Sequence, residues 1–506
     1  MQRSRILIIV VSVCALIALM AVVLWPQPKP AAASHVAAVS AGGQFTCAVT
    51  TAGGVQCWGR NNSGQFGDGT TTDSAVPVDV IDLESGVVAI ASGNIHACAL
   101  TTEGGVQCWG SNSQGQLGAE TGDLDSTTPV GVVGLETGVV AIASGDLHTC
   151  AVTTAGGVKC WGVDGGWQGY GNTTTPVDVL EEPGGQPLGE IAGITAGGEH
   201  TCALTDAGGV KCWGRNGWGQ LGNGTISGGR PVDVCQSFDE EEGVCTELLS
   251  NVAAIDAGYS HTCALTNAGA IKCWGNNSHG QLGNGDGSYS WATPTDVSGL
   301  QSGAAAINAG GLHTCAITTG GGVKCWGMNF FGQVGDGTST DRPTPVDVLG
   351  LSSGVAAVSA GSAYHTCALT DTGAVTCWGG NDYGQTGDSD GDGCTDFTEH
   401  GTTAALGGQR DHLDYWDFFD TPDASNYRNR QIDITDIGAV VARFGAIGEP
   451  DGDPRSPPPP APAYHTAFDR GGPIPGENLW NLLPADGSIN ILDIGAMVVQ
   501  FGHTCA

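Results

Sequence analysis

The sequence predicts an all-β protein in which a seven-bladed β-propeller is followed by a small α-helical module. Three observations lead to this fold class: one cysteine-containing phrase occurs seven times, its copies begin about 52 residues apart, and 84 of the 506 residues are glycine. A period of this length is typical of propellers and repeat arrays. Four short strand-like segments per copy, separated by glycine-rich turns, favour a propeller over a sandwich.

Each copy contains a β-hairpin closed by a Thr-x-x-Gly loop. If Thr50 and Gly54 close the first loop, Cys47 lies directly opposite Cys57. Opposed strand positions bring two Cβ atoms within about 4.5–5.5 Å, close to the separation that a disulfide needs. Zinc is the alternative, but zinc ligands occur in closely spaced pairs that these cysteines do not form. The predicted repeat disulfides are Cys47–Cys57, Cys98–Cys108, Cys150–Cys160, Cys202–Cys212, Cys263–Cys273, Cys315–Cys325 and Cys367–Cys377.

Each copy supplies four predicted strands: an entry run such as 304–307, the two hairpin strands, and a final Pro-Val-Asp-Val run. A Gly-Gln-Leu-Gly signature, as at 280–283, stands between the third and fourth strands. Together with His-Thr-Cys-Ala-Leu-Thr and Cys-Trp-Gly-x-Asn, it resembles the regulator of chromosome condensation repeat family over residues 36–387. The resemblance implies a seven-bladed propeller.

The family resemblance implies a rigid binding platform and does not by itself fix an activity. The eukaryotic founder of the family is a nucleotide-exchange factor bound to chromatin, whereas other members are extracellular binding proteins, including an inhibitor of β-lactamases. The formal net charge of -34 opposes binding to phosphate backbones, so we expect no nucleic-acid partner.

The amino-terminal segment predicts export. Arg3 and Arg5 precede an uncharged apolar run from Ile6 to Trp25 that is long enough to span a bilayer. Residues 1–25 are therefore interpreted as a signal peptide or a membrane anchor, and residues 26–35 as a linker containing a signal-peptidase-like Ala-Ala-Ala. Either interpretation places the rest of the chain outside the cell or on its surface, where disulfides persist.

Some copies depart from the repeat pattern. Phe45 replaces the histidine of later copies, and 163–170 replaces the usual loop of copy three. Copy four carries an acidic insertion, for which we predict an eighth disulfide between Cys235 and Cys245. Copy seven lacks the final strand, so either residues 26–35 supply it or blade seven is short.

Repeated side chains are interpreted as structural. Six copies share a histidine, which favours blade packing over a metal site on the axis, and seven share a tryptophan expected to fill the space between blades. The residue before Gly-Gln varies and includes Trp218, Phe331 and Tyr383. Equivalent loops lie on one propeller face, so these three side chains are predicted to bind a protein or carbohydrate, the alternative being that each ring packs on a neighbouring loop.

No catalytic constellation emerges from the sequence, which has no His-Glu-x-x-His motif and no phosphate-binding loop. We therefore expect an exported, non-catalytic binding protein with an extracellular protein or polysaccharide ligand. A carbohydrate-active or other hydrolytic protein with its site on a propeller face is one alternative. A structural component of a surface layer is another.

Residues 388–400 predict an EF-hand-like calcium loop. A twelve-residue stretch places oxygen-bearing side chains at positions 1, 3, 5, 9 and 12 and glycine at position 6, and position 7 would coordinate through its backbone carbonyl. The predicted Ca²⁺ ligands are Asp388, Asp390, Asp392, Cys394, Asp396 and Glu399.

Residues 401–506 resemble a dockerin, a paired calcium loop and helix module. The segment 432–445 matches 489–502, and each begins with an acidic residue near a helix start and ends at glycine. A proline-rich linker, 452–462, separates the two units. The resemblance implies a cohesin-like docking partner. Calcium in the second loop stays open because Pro484 stands at a ligand position, and a bond between Cys394 and Cys505 also stays open.

Overall fold

The computed structural model describes residues 36–119, 124–163, 172–182, 184–362 and 364–387. The predicted signal or anchor (1–25), the linker (26–35), the calcium loop and the dockerin-like module lie outside the described residues, as does most of the variant loop of blade three. Within the described residues, no helix has the length and apolar composition needed to cross a bilayer.

The described strands form seven small antiparallel sheets arranged as the blades of a propeller, and one separate two-stranded hairpin. Blade one contains β1 (Val36–Ala41), β2 (Phe45–Thr50), β3 (Val55–Gly59) and β4 (Ser74–Asp79). Blade two contains β5 (Val87–Ser92), β6 (His96–Thr101), β7 (Val106–Gly110) and β8 (Ser126–Gly131). Blade three contains β9 (Val139–Ser144), β10 (His148–Thr153), β11 (Val158–Gly162) and β12 (Thr173–Asp178).

Blade four carries the insertion and blade seven is short. Blade four contains β13 (Ile191–Ala196), β14 (His200–Thr205), β15 (Val210–Gly214) and β16 (Gly229–Asp233), followed by a hairpin of β17 (Cys235–Asp239) and β18 (Val244–Leu248). Blade five contains β19 (Val252–Ala257), β20 (His261–Thr266), β21 (Ile271–Asn276) and β22 (Ser290–Asp296). Blade six contains β23 (Ala304–Ala309), β24 (His313–Thr318), β25 (Val323–Gly327) and β26 (Arg342–Asp347). Blade seven contains β27 (Val355–Ala360), β28 (His365–Thr370) and β29 (Val375–Gly379).

The hairpin register agrees with the cysteine spacing. Cys47 pairs with Cys57 across β2 and β3, and the Thr50 amide donates to the Gly54 carbonyl over 2.8 Å. All seven repeat disulfides are present with Cα atoms 4.0–4.1 Å apart. The eighth, Cys235–Cys245, staples the inserted hairpin, where the Cα atoms are 5.6 Å apart. The predicted disulfide bonds are thus confirmed.

The blade topology gives the propeller two distinct ends. Because each blade is an antiparallel meander, the connections between strands one and two and between strands three and four lie at one end, which we call end A. The connections between strands two and three and between successive blades lie at the opposite end, which we call end B. Strand β1 begins at end B, and the last described residue, Gly387, follows β29 at end A.

Tryptophans fill the interfaces between blades. In a representative interface, Trp326 of blade six is fully buried against the Cys263–Cys273 disulfide of blade five. Its indole N–H donates to the Gln281 carbonyl over 2.9 Å. The glutamine of the Gly-Gln signature is therefore a contact between neighbouring blades, which explains why it recurs with the tryptophan.

Blade seven has three described strands, and β1 packs directly beside it. The Ala41 amide donates to Ser359 Oγ over 2.9 Å. At the rim, Trp58 of blade one packs in one cluster with Cys367 and Cys377. The ring therefore closes through contacts between blades one and seven, and the final Pro-Val-Asp-Val strand has no counterpart among the described residues of blade seven.

Candidate functional site

End A carries the exposed aromatic side chains of the propeller. In the described part of the chain, the large aromatic side chains that are exposed all lie on end A loops or at the start of an adjoining strand. Tyr364 and Tyr383 of blade seven lie at the same end and are half-buried. We call this set the aromatic surface: Trp218, Tyr259, Tyr289, Trp291, Phe330, Phe331, Tyr364 and Tyr383.

A fixed loop presents the variable residue before Gly-Gln. In blade four, the Trp218 amide donates to the side-chain carbonyl of Gln220 over 3.0 Å, and the Leu221 amide donates to Asn216 Oδ1 over 2.9 Å. Six blades form the same bond to glutamine, over 2.7–3.0 Å. Glutamine and asparagine hold the loop backbone, so the variable side chain can change without loss of the loop.

The three residues predicted from this position have different surroundings. Trp218 is 40% exposed, so much of its ring faces solvent. Phe331 is 38% exposed and packs between Phe330, with ring centroids 5.0 Å apart, and Tyr364 of blade seven, 4.6 Å away. Tyr383 lies under the Arg60 guanidinium of blade one, 4.8 Å from the ring centroid. Tyr383 and one side of the Phe331 ring therefore pack on neighbouring residues, as the alternative interpretation expected. The Trp218 ring remains accessible for binding.

Blade five supplies aromatic residues that the sequence comparison missed. Trp218 belongs to blade four and Phe331 to blade six, and between them blade five carries Tyr259, Tyr289 and Trp291. In blade five the position before Gly-Gln is His279, whose Nδ1 lies 2.8 Å from the Asp341 carboxylate. A comparison of every end A loop, rather than of one position, would have found these three residues.

The propeller axis encloses a cavity of about 240 Å³, lined by residues from the inner strands of all seven blades. Along it, the Asp256 carboxylate accepts hydrogen bonds from Thr195 Oγ1 over 2.7 Å, from the Asn308 amide group over 2.7 Å and from two backbone amides. Burial raises the pKa of Asp256 to about 6, against the opposing effect of these hydrogen bonds. Because its oxygens are fully engaged, Asp256 ties the inner strands together and is not a free ligand group.

The end A mouth of this cavity is acidic. Burial, with the nearby Glu199 carboxylate, raises the pKa of Asp146 to about 6. Glu199 accepts a hydrogen bond from Arg215 over 2.5 Å, and the exposed Tyr259 ring also lines the cavity. The raised pKa makes Asp146 a candidate proton donor at this mouth near pH 6.

The repeated histidines form bonds between blades. His261 Nε2 lies 2.9 Å from Thr314 Oγ1 of the next blade, and Thr314 Oγ1 donates to the Gln281 carbonyl over 2.9 Å. Since the threonine proton is used, the histidine donates from Nε2. Burial, with the neighbouring His313, lowers the pKa of His261 to about 3, so its ring is neutral. The same bond joins the other five histidines to a threonine.

The predicted calcium ligands Asp388, Asp390, Asp392, Cys394, Asp396 and Glu399 lie outside the described residues. Among the residues that the structure does describe, no group of three or more histidine, cysteine, aspartate or glutamate side chains is arranged to hold a metal ion. The calcium site stays a prediction.

Comparison with known proteins identifies the family of the propeller. The model of the RCC1-like domain matches residues 23–298 and 136–414, and these overlapping matches cover most of the chain. The chain belongs to the RCC1-like domain family. The family resemblance expected from the cysteine and glycine motifs is therefore confirmed.

Members of the RCC1-like family resemble the chain over most of its length. The ultraviolet-B receptor UVR8 of Arabidopsis thaliana is 32% identical over 356 residues, which are 69% of this chain and 78% of UVR8. The secretion-regulating guanine nucleotide exchange factor of Bos taurus is 31% identical over 343 residues, 62% of this chain and 71% of the relative.

A solved structure supports the fold alone. Prp20p from Saccharomyces cerevisiae, whose structure is described with its binding properties to Gsp1p and histones, superposes with a TM-score of 0.55 at 23% identity. The superposition covers 66% of this chain and 82% of Prp20p.

Proposed function

We propose that this protein is an exported, non-catalytic binding protein whose aromatic surface recognises a protein partner. The observation that carries the proposal is the gathering of exposed aromatic side chains at end A, across blades four to six. Aromatic side chains provide large contact areas at a small cost in conformational entropy, and they dominate the binding energy of many interfaces.

Family membership supports a protein partner. Prp20p is described with its binding to Gsp1p and histones, and the bovine relative is named as an exchange factor that regulates secretion. Both names point to roles exercised on other proteins. The propeller supplies the rigid frame that such recognition needs, since eight disulfides and the interlocked blades fix the positions of the loops.

Export and a calcium-dependent tail complete the proposal. The apolar segment 6–25 and the abundance of disulfides support a location outside the cell or on its surface. The acidic residues of 388–400 and the repeated helical pattern of 401–506 support a Ca²⁺-ordered module that attaches the propeller to a cohesin-like or other docking partner.

The binding proposal is tested by capture on immobilised full-length protein. Quantitative mass spectrometry would compare extracellular proteins retained by the wild type, by W218A/F330A at end A, and by V88A/L349A, which removes exposed aliphatic side chains elsewhere on the propeller. We expect specific proteins to be lost with the first variant and retained with the second. Equal retention by all three proteins would refute the proposal, and retention of polysaccharide in a parallel assay would identify a carbohydrate ligand instead.

Hydrolysis is the second candidate function, favoured by the raised pKa of Asp146 beside Glu199. In that role the protonated Asp146 would act as the general acid near pH 6. Activity on soluble polysaccharides or peptides that is abolished by Asp146→Asn, with an unchanged melting temperature, would establish it. Absence of activity in the wild type, or activity that survives the substitution, would exclude Asp146 as the acid.

A further inference from the structure

We propose that the proline-rich segment 455–462 of this chain docks on the aromatic surface of end A and covers it until a partner displaces the segment. The inference rests on the proposed function, because it concerns the occupancy of the same surface.

The aromatic surface exposes several large apolar side chains. Phe330 is 69% exposed and Tyr289 is 72% exposed, and the adjoining Trp218 and Trp291 are each more than a third exposed. Exposed aromatic side chains gathered at one end of a molecule are typical of interaction sites. A second copy of the chain is an unsuitable cover, because each copy carries a net charge of -34 and the two would repel.

The chain leaves the propeller at the same end. Gly387 is the last described residue of the end A loop that follows β29, and Tyr383 of the aromatic surface lies in that loop. About 70 residues separate Gly387 from Arg455. A chain of this length can return to any part of the end from which it departs.

The sequence of the segment matches the chemistry of the surface. Arg455 is followed, after one serine, by Pro457 to Pro460 and then Pro462. Consecutive prolines favour the polyproline II conformation, which lies against aromatic rings at little entropic cost. Because the segment belongs to the same molecule, its effective concentration reaches the millimolar range, and a weak site is enough to hold it.

Charge favours the same pairing. Three arginines of this end already have partners, since Arg60 lies over Tyr383, Arg215 bonds Glu199, and Arg342 bonds Asp336, whereas Arg230 at the start of β16 is exposed. Carboxylates such as the exposed Asp382 adjoin the aromatic residues. The cationic Arg455 beside the prolines can therefore pair with a carboxylate of this end.

Hydroxyl-radical footprinting of the full-length protein tests the docking. In P457S/P458S/P459S/P460S we expect the oxidation rates of Trp218, Tyr289 and Phe330 to rise at least about threefold, because a tethered segment occupies its site in most molecules. The buried Trp274 serves as an internal reference. P473A/P475A, which removes two prolines of the same tail outside the segment, should leave the rates unchanged. Equal rates in the wild type and the quadruple variant would overturn the proposal.

A labelled synthetic peptide of residues 453–463 locates the docking site. The peptide should bind the quadruple serine variant at least about tenfold more tightly than the wild type, where the tethered segment competes. F330A/F331A placed in the same variant should abolish this binding. Failure to bind, equal binding to both proteins, or binding that survives F330A/F331A would each overturn the proposal. Loss of external partners in W218A/F330A would still support the proposed function after such a failure, so the two proposals can fail separately.

Discussion

At the scale of single residues, the blade interfaces are held by histidine–threonine bonds, and one interface shows how the pair depends on both members. Phe45 of blade one stands where later blades have histidine, and Ala97 of blade two stands where later blades have threonine. Both are fully buried in one apolar cluster. The polar pair is thus replaced as a unit, which avoids a buried donor without an acceptor.

The blade-one substitution suggests a mutational cycle at the interface of blades five and six. Thr314→Val removes the acceptor of the His261 Nε2 proton and should lower the free energy of unfolding by about 1–3 kcal/mol. His261→Phe with Thr314→Ala copies Phe45 and Ala97 and should recover part of this loss. Urea denaturation with the disulfides intact measures both. A loss of stability in H261F/T314A that exceeds the summed losses of H261F and T314A alone would contradict the paired role.

The buried histidines also predict how stability depends on pH. Burial lowers the pKa of all six to about 3 or 4, whereas the unfolded side chains take up protons near pH 6.5. The contribution of these histidines to the free energy of unfolding is complete above pH 6.5 and is lost as the pH falls toward 4. Asp146 and Asp256, with pKa values raised to about 6, act in the opposite direction.

Between about pH 4.5 and 5.5, six histidines favour proton uptake by the unfolded chain and two aspartates favour uptake by the folded chain. The unfolded chain therefore binds about four more protons, and the free energy of unfolding falls by roughly 5 kcal/mol for each pH unit of acidification. We expect the urea midpoint to fall steeply over this range. The H261F/T314A variant should show a slope smaller by about one proton. A midpoint that stays constant or rises on acidification would show that the histidines titrate in the folded state.

At the scale of elements, the two kinds of disulfide should differ in reactivity. Seven join buried cysteines inside a blade, whereas Cys245 of the inserted hairpin is exposed. Mild reduction of the native protein should open Cys235–Cys245 first, because a thiolate reagent can reach its sulfur. Differential alkylation and mass spectrometry of the cysteine-containing peptides measures the order. Reduction of the Cys263–Cys273 pair at the same rate would contradict the buried position of the repeat disulfides.

The elements also show what the sequence could predict. The hairpin register followed from the ten-residue cysteine spacing, because the loop and the paired strands are local in sequence. The bond from His261 to Thr314 joins residues 53 positions apart in different blades, so only the packing of whole blades reveals it. The aromatic surface was predicted in part: Trp218, Phe331 and Tyr383 came from one loop position, which does not represent the loop residues Tyr259 and Tyr289 or Trp291 at the start of β22.

At the scale of the whole molecule, the propeller combines a repeated frame with an asymmetric end. The disulfides, tryptophans and histidine–threonine bonds recur around the ring. Blade seven is joined to blade one by the His365–Thr46 bond and by the bond from the Ala41 amide to Ser359. Over this regular frame, the exposed aromatic side chains of the described residues occupy blades four to six of end A alone. A symmetric scaffold with one chemically distinct sector is suited to a single, oriented partner.

The central claim is that end A is the binding end, and site-specific photo-crosslinking tests it most directly. The photoreactive amino acid p-benzoylphenylalanine would replace Phe330 at end A or, as a matched control, the similarly exposed Val88. After illumination of full-length protein with extracellular proteins, we predict discrete intermolecular adducts from position 330 and none from position 88. Adducts from position 88 alone, or from neither position, would contradict the assignment of end A as the recognition surface.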